Sequence, residues 1–152
     1  MQRDLQATVD GSIAGGIATV AMSALMLAAR KAGLTGRLPP QHIAQAVLKA
    51  GGKHDASQEL QALTATFLHF AFGAGIGALF AVLHRRLRLP IGAMPHALLF
   101  SSGVWAVSYK GWVPALGIMP PPERDRPDRP VVMLVAHWVY GVTLGAAVNR
   151  SS

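Results

Sequence analysis

The sequence predicts an all-α integral membrane four-helix bundle with one short amphipathic helix at the interface. Three observations lead there. Of 152 residues, 51% are apolar and only 14% are charged, against about a quarter charged in an ordinary soluble domain, so a water-facing surface could not be covered. Mean hydropathy is +0.35. Apolar runs of about 20 residues, the length that crosses roughly 30 Å of hydrocarbon, recur along the chain at 11–29, 60–83, 91–110 and 131–148. Finally, the 16 glycines fall largely within these runs, several spaced four apart, as in membrane helices that pack closely.

Each run must be helical, because lipid offers the backbone no hydrogen-bond partners. The first, 11–29, is closed by Arg30 and Lys31. It is longer than the apolar core of a signal peptide and no small-residue cleavage pattern follows, so we read it as an uncleaved span. The second, 60–83, carries His69 and ends on His84-Arg85-Arg86, with Asp55 and Gln58 at capping-box spacing ahead of it. The third, 91–110, places Pro95 in a first turn and Lys110 at its end, where the ammonium can reach the interface beside Tyr109 and Trp112. The fourth is 131–148. Residues 1–152 form a single transmembrane domain on this reading.

The connectors differ. In 41–50, Ile43, Ala44, Val47 and Leu48 share one face, opposite Gln41, His42, Gln45 and Lys49. Pro39-Pro40 precede this segment and Gly51-Gly52 end it, which predicts a helix lying on the membrane surface. The second connector is the tight RRLRLP turn. The third, PPPERDRPDRP, is proline-rich with alternating charge and is expected at the aqueous surface. An even number of spans puts both termini beside the RRLR turn, where Arg85, Arg86 and Arg88 are interfacial candidates, together with Lys110 and Trp112 at the opposite face. Basic residues are denser at the turn but more numerous in the long connectors, so the positive-inside rule does not decide orientation.

Two stretches are near copies. HFAFGAGIGA (His69–Ala78) and HWVYGVTLGA (His137–Ala146) each read His, aromatic, apolar, aromatic, then Gly-x-x-x-Gly-Ala. Four-residue spacing aligns His69, Gly73 and Gly77 on one helix face, and His137, Gly141 and Gly145 on another. Gly11 and Gly15 repeat the spacing in the first span. The two motif helices run in the same direction, so their histidines lie at similar depth. Setting Gly16–Val20 against Gly103–Val107 extends the match to two tandem helix–connector–helix units, although Gly- and Ala-rich membrane helices also resemble one another by chance.

For the glycines the plain reading is close helix packing, within the chain or in a homo-oligomer or larger membrane complex. For the histidine pair three readings stand. They are neutral groups bonded to a neighbouring helix through Ser23, Thr66, Ser101 or Thr143. Alternatively they line a transport or proton path, since histidine changes charge near neutrality. In the third they are axial ligands of haem b. His84 and His96 read as interfacial residues, and His42 and His54 as solvent-exposed ones.

With no cysteine, disulfides, Fe–S clusters, thiolate metal sites and c-type haem are excluded. The seven acidic residues all lie outside the spans, so an intramembrane carboxylate pair is excluded too. No catalytic or nucleotide-binding signature is present, and the expectation is a non-enzymatic protein without a metal or other resident cofactor. The net charge of +7 sits at span ends, which favours the lipid bilayer and its anionic head groups over nucleic acid.

The second half, from HALLFSSGVW through GIMPPPERDRPDRP to AHWVYGVTLGAA, resembles the YagU-like group of small bacterial inner-membrane proteins of unknown function. The similarity lies in a helix ending on a Gly-Ile-x-Pro-Pro step, a short polar connector, and a helix opening on Ala-His-aromatic. The first half is similar in its Leu-Pro-Pro step and His-bearing second helix. The resemblance implies an inner-membrane location with cytoplasmic termini and transfers no catalytic residue.

Overall fold

The computed structural model describes residues 2–87 and 89–151, without the side chains of Arg150 and Ser151. Arg88, one of the expected interfacial residues, lies outside the described residues. The described residues form helices joined by turns and short connectors, with no strand among them. Three helices are long and apolar enough to cross a membrane, namely Gln2–Lys31 (α1), Gln58–Leu87 (α3) and Arg129–Asn149, the last lying within α6 (Arg129–Ser151). Their outward side chains are apolar and open, with Ile13 60%, Leu63 62% and Phe67 71% exposed. Water would not tolerate that pattern around a whole helix, whereas lipid does.

The expected third span is helical but not uniform. An α-helix, Ala93–Trp105 (α4), passes without a break into a π-helical segment, Ala106–Trp112, and a last turn, Val113–Ala115 (α5). In a regular α-helix the Pro114 ring would meet the Lys110 carbonyl and leave it without a donor. The wider π turns relieve that conflict, and π segments of this kind often sit at functional sites. The whole rod is about 34 Å long at the α-helical rise.

The short helix α2 (Pro39–Ala50) starts two residues earlier than the pattern suggested. Prolines fit a first helical turn, and the Gln41 side chain accepts from the Leu38 amide at 3.0 Å. At the start of α3 the capping residue is Ser57, whose hydroxyl accepts from the Leu60 amide at 3.2 Å. Asp55, the expected cap, stands two residues too early.

Glycines set the packing. In lipid the hydrophobic effect does not drive helices together, and close backbone approach does. α1 and α3 run antiparallel, with the two predicted glycine pairs facing each other. A Cβ on Gly11 would stand 2.6 Å from the Gly77 carbonyl, and one on Gly77 would stand 2.6 Å from Gly15 Cα. The Thr19 hydroxyl occupies the space a Gly73 side chain would need. α4 and α6 repeat the arrangement. A Cβ on Gly145 would stand 2.6 Å from Met94 Cα, and the Ser101 hydroxyl fills the place of a side chain on Gly141. The matching positions are therefore Gly15 with Ala97 and Thr19 with Ser101, a different register from the Gly16–Gly103 alignment drawn from sequence.

The two hairpins join unequally. α1 packs along α6, while α3 and α4, the corresponding pair, barely touch. That leaves a gap along one side of the bundle.

Candidate intramembrane site

The gap leads to a cavity of about 360 Å³ enclosed by α1, α3, the π segment and α6, and roofed by Pro39, Pro40 and Ile43 of α2. This lies within the usual range of small-molecule sites. His69 and His137 both line it. Equal depth on two parallel helices, read from the repeated motif, thus becomes a shared wall.

The two rings are held differently. His69 Nε2 lies 3.2 Å from Ser23 Oγ, one of the partners foreseen from sequence. His137 Nδ1 is 2.8 Å from the Met133 carbonyl of its own helix. A carbonyl only accepts, so Nδ1 carries the hydrogen and, in the neutral ring, Nε2 is an acceptor. A haem bound by both rings would have to take His69 Nε2 from Ser23. Among the described residues, no group of three or more His, Cys, Asp or Glu is placed to hold a metal ion.

Three of the hydroxyls lining the site are already engaged. Tyr140 lines the cavity and donates to the Gly73 carbonyl at 2.6 Å. Thr19 donates to the Gly15 carbonyl at 2.7 Å. Tyr109 donates to Asp125 of the third connector. The two imidazoles and the Ser108 hydroxyl are therefore the groups best able to meet a polar atom in the cavity, and the rest of its wall is mainly Met, Leu, Val and aromatic carbon. Phe72, Val104, Ser108 and Trp112 also belong to a shallow furrow that runs on between α3 and α4 past Ile76, Leu79, Phe100 and Val107. Trp112, expected at the interface, is thus part of the site.

From sequence Tyr109 is placed at the interface and Tyr140 counts only as an aromatic of the repeated motif, with no role in the site for either. A phenol in an apolar span needs a partner for its hydroxyl, and that requirement was the available signal. The third connector is also less solvated than its composition suggests. Asp125 accepts from Arg129 at 2.6 Å, and their side chains are only 2% and 8% exposed. Lys110 lies 3.4 Å from Glu123 of the same connector, and hydrogen bonds from its own backbone and from Lys110 hold the Glu123 carboxyl below its ordinary range.

At the far end, Arg85 and Arg86 pair with Asp4 at 2.9 and 3.0 Å. His84 and His96 are not separate interfacial side chains. Their Nδ1 atoms are 2.8 Å apart, and His96 is 7% exposed. His54 is exposed as expected, whereas His42 is part-buried.

The family model matched by the sequence covers residues 5–152. The chain belongs to DUF6789, a family of unknown function. No curated protein and no solved structure matches it. Nothing in the family match connects this DUF6789 chain with the YagU-like group. Its candidate membrane helices agree with a membrane protein of uncharacterised role.

Proposed function

We propose that this DUF6789 chain is a four-span membrane protein that takes an apolar molecule from the bilayer through the α3–α4 gap and holds its polar end at His69 and His137. The carrying observation is the single cavity that both histidines line, opening between the two hairpins where they fail to close. The continuous rod from 93 to 115 supports the fourth span, and the paired glycine contacts support two tandem units. We place the protein in a bacterial plasma membrane with its termini and RRLR turn in the cytoplasm, on its resemblance to the YagU-like group, an arrangement the dense basic turn is compatible with.

A scaffold or accessory role, alone or as a homo-oligomer, would use other surfaces. The glycine stripes are occupied within the chain, so a partner would meet outward residues such as Phe67 and Leu99, 71% and 67% exposed. A proton path is favoured by the histidines but interrupted below them. Phe80, Ala97 and Leu144, each 0% exposed, fill the interior between the cavity and the His84–His96 pair.

The test uses a brominated long-chain alcohol and the fluorescence of Trp112, with Trp105→Phe and Trp138→Phe removing the other indoles. Saturable quenching is expected. It should weaken about tenfold in His137→Phe, the worth of one hydrogen bond, and fail in Gly103→Leu, whose side chain would enter the open furrow. Non-saturable quenching, identical in both variants, would remove the proposal. A haem reading needs a Soret band lost in His69→Ala; protein that stays colourless after haemin addition excludes it.

A further inference from the structure

We propose that the first and third connectors together form a binding site for a phosphate-type oxyanion, on the end of the bundle away from the chain termini. The site is built from buried polar atoms that lack partners. Thr35 is 4% exposed and its hydroxyl bonds to nothing; Arg129 is 7% exposed and its Nε is likewise unpaired. Buried Nε2 of His42 is the third such atom.

These groups belong to one cluster. Gly36, next to Thr35, has Arg126 Nη1 and Arg129 Nη2 within 2.8 and 3.3 Å of where its Cβ would stand. A side chain at Gly36 would push the Arg126 guanidinium aside. His42 is close enough to Arg129, Arg37 and Asp125 to feel their charges. Burial first, then Arg129 and Arg37, lower its pKa from 6.5. The carboxylate here, Asp125, is already taken. It accepts from Tyr109, from Arg129 and from the Arg126 amide.

What remains is an excess of positive charge with the Thr35 hydroxyl and Arg129 Nε–H left over as donors; the His42 ring already meets the Arg37 backbone. Unpaired buried donors are rare in native proteins because each keeps its full desolvation cost. Water would satisfy the hydrogen bonds but leave the charge uncompensated. A tetrahedral oxyanion does both, since several acceptor oxygens diverge from one centre and guanidinium suits them. Pro39 and Pro40, just beyond Arg37, line the roof of the intramembrane cavity. The site therefore lies at the level of lipid phosphates, and either a phospholipid phosphate or the free ion could fill it. It does not depend on what the cavity below receives.

The experiment uses the full chain in dodecyl maltoside, which carries no phosphate. One arm titrates inorganic phosphate by calorimetry. The other adds phosphatidylglycerol and counts retained lipid by native mass spectrometry, against phosphatidylcholine. Because Arg129 also holds Asp125, Arg129→Met can fail through misfolding, so the deciding variants are Thr35→Val and His42→Gln. Thermal midpoints without ligand are expected to stay as in the parent. Binding in one arm should fall about tenfold or more in each variant, and the arm that responds identifies the source. No binding in either arm, or binding indifferent to both variants, means that water alone satisfies these atoms and overturns the proposal.

Discussion

His84 and His96 meet Nδ1 to Nδ1 at 2.8 Å and so join α3 to α4, the two helices that otherwise barely touch. Phe80 stacks on His84 at 5.6 Å and meets His96 edge-on at 5.1 Å, which fixes both rings. One hydrogen serves the contact, donated by one Nδ1 and accepted by the other.

Breaking this contact should therefore loosen the lateral gap. Spin labels at Leu79→Cys and Val107→Cys are expected to lie farther apart in His84→Leu, which removes the hydrogen bond between the rings, and to keep the parent distance in His84→Gln, which can supply one. An unchanged distance in His84→Leu would show that the pair does not hold the gap.

Glycine contacts predict a graded stability series. Gly77→Ala and Gly141→Ala force a methyl into a neighbouring backbone or hydroxyl and should cost about 1–3 kcal/mol. Gly75→Ala meets nothing within 4 Å and should stay within about 0.5 kcal/mol of the parent. Equilibrium unfolding in mixed micelles measures all three.

Asp125 anchors the third connector to the bundle. Asp125→Asn leaves Arg129 buried without its counter-charge and should destabilise the protein by about 3 kcal/mol. Tyr109→Phe removes one hydrogen bond and should cost about 1 kcal/mol. Limited proteolysis between 116 and 128 should follow the same order.

Topology can be read with single cysteines, because the chain has none of its own. Lys53→Cys and Glu123→Cys should react with an impermeant maleimide from the periplasm, and Arg86→Cys only after lysis. Labelling of positions 53 and 123 from opposite sides would leave three crossings rather than four.

Much of the fold was legible residue by residue. Runs without charge marked the long helices, Pro39-Pro40 and Gly51-Gly52 bracketed α2, and four-residue spacing named the glycine faces that do make contact. Local signals also misled. Asp55-x-x-Gln58 has capping spacing, yet Ser57 holds the first turn of α3 because the helix begins later. PPPERDRPDRP has the composition of a solvated strap, yet Asp125 and Arg129 are buried because Tyr109 draws them in.

For the site, the repeated motif pointed to His69 and His137, contained Tyr140 only as an aromatic, and did not reach Tyr109 or the His84–His96 pair. Each of those depends on a partner 12 or more residues away, and no periodicity records such a partner. By itself the sequence determined which segments are helical, which are greasy enough for lipid, and where small residues allow close approach, since composition and spacing act locally. Only the tertiary structure decided that α1 closes on α6 while α3 stands off from α4, and that both histidines face one cavity. In lipid, apolar helix faces are chemically alike, so the choice among them falls to shape: which backbone meets a glycine and which meets a side chain.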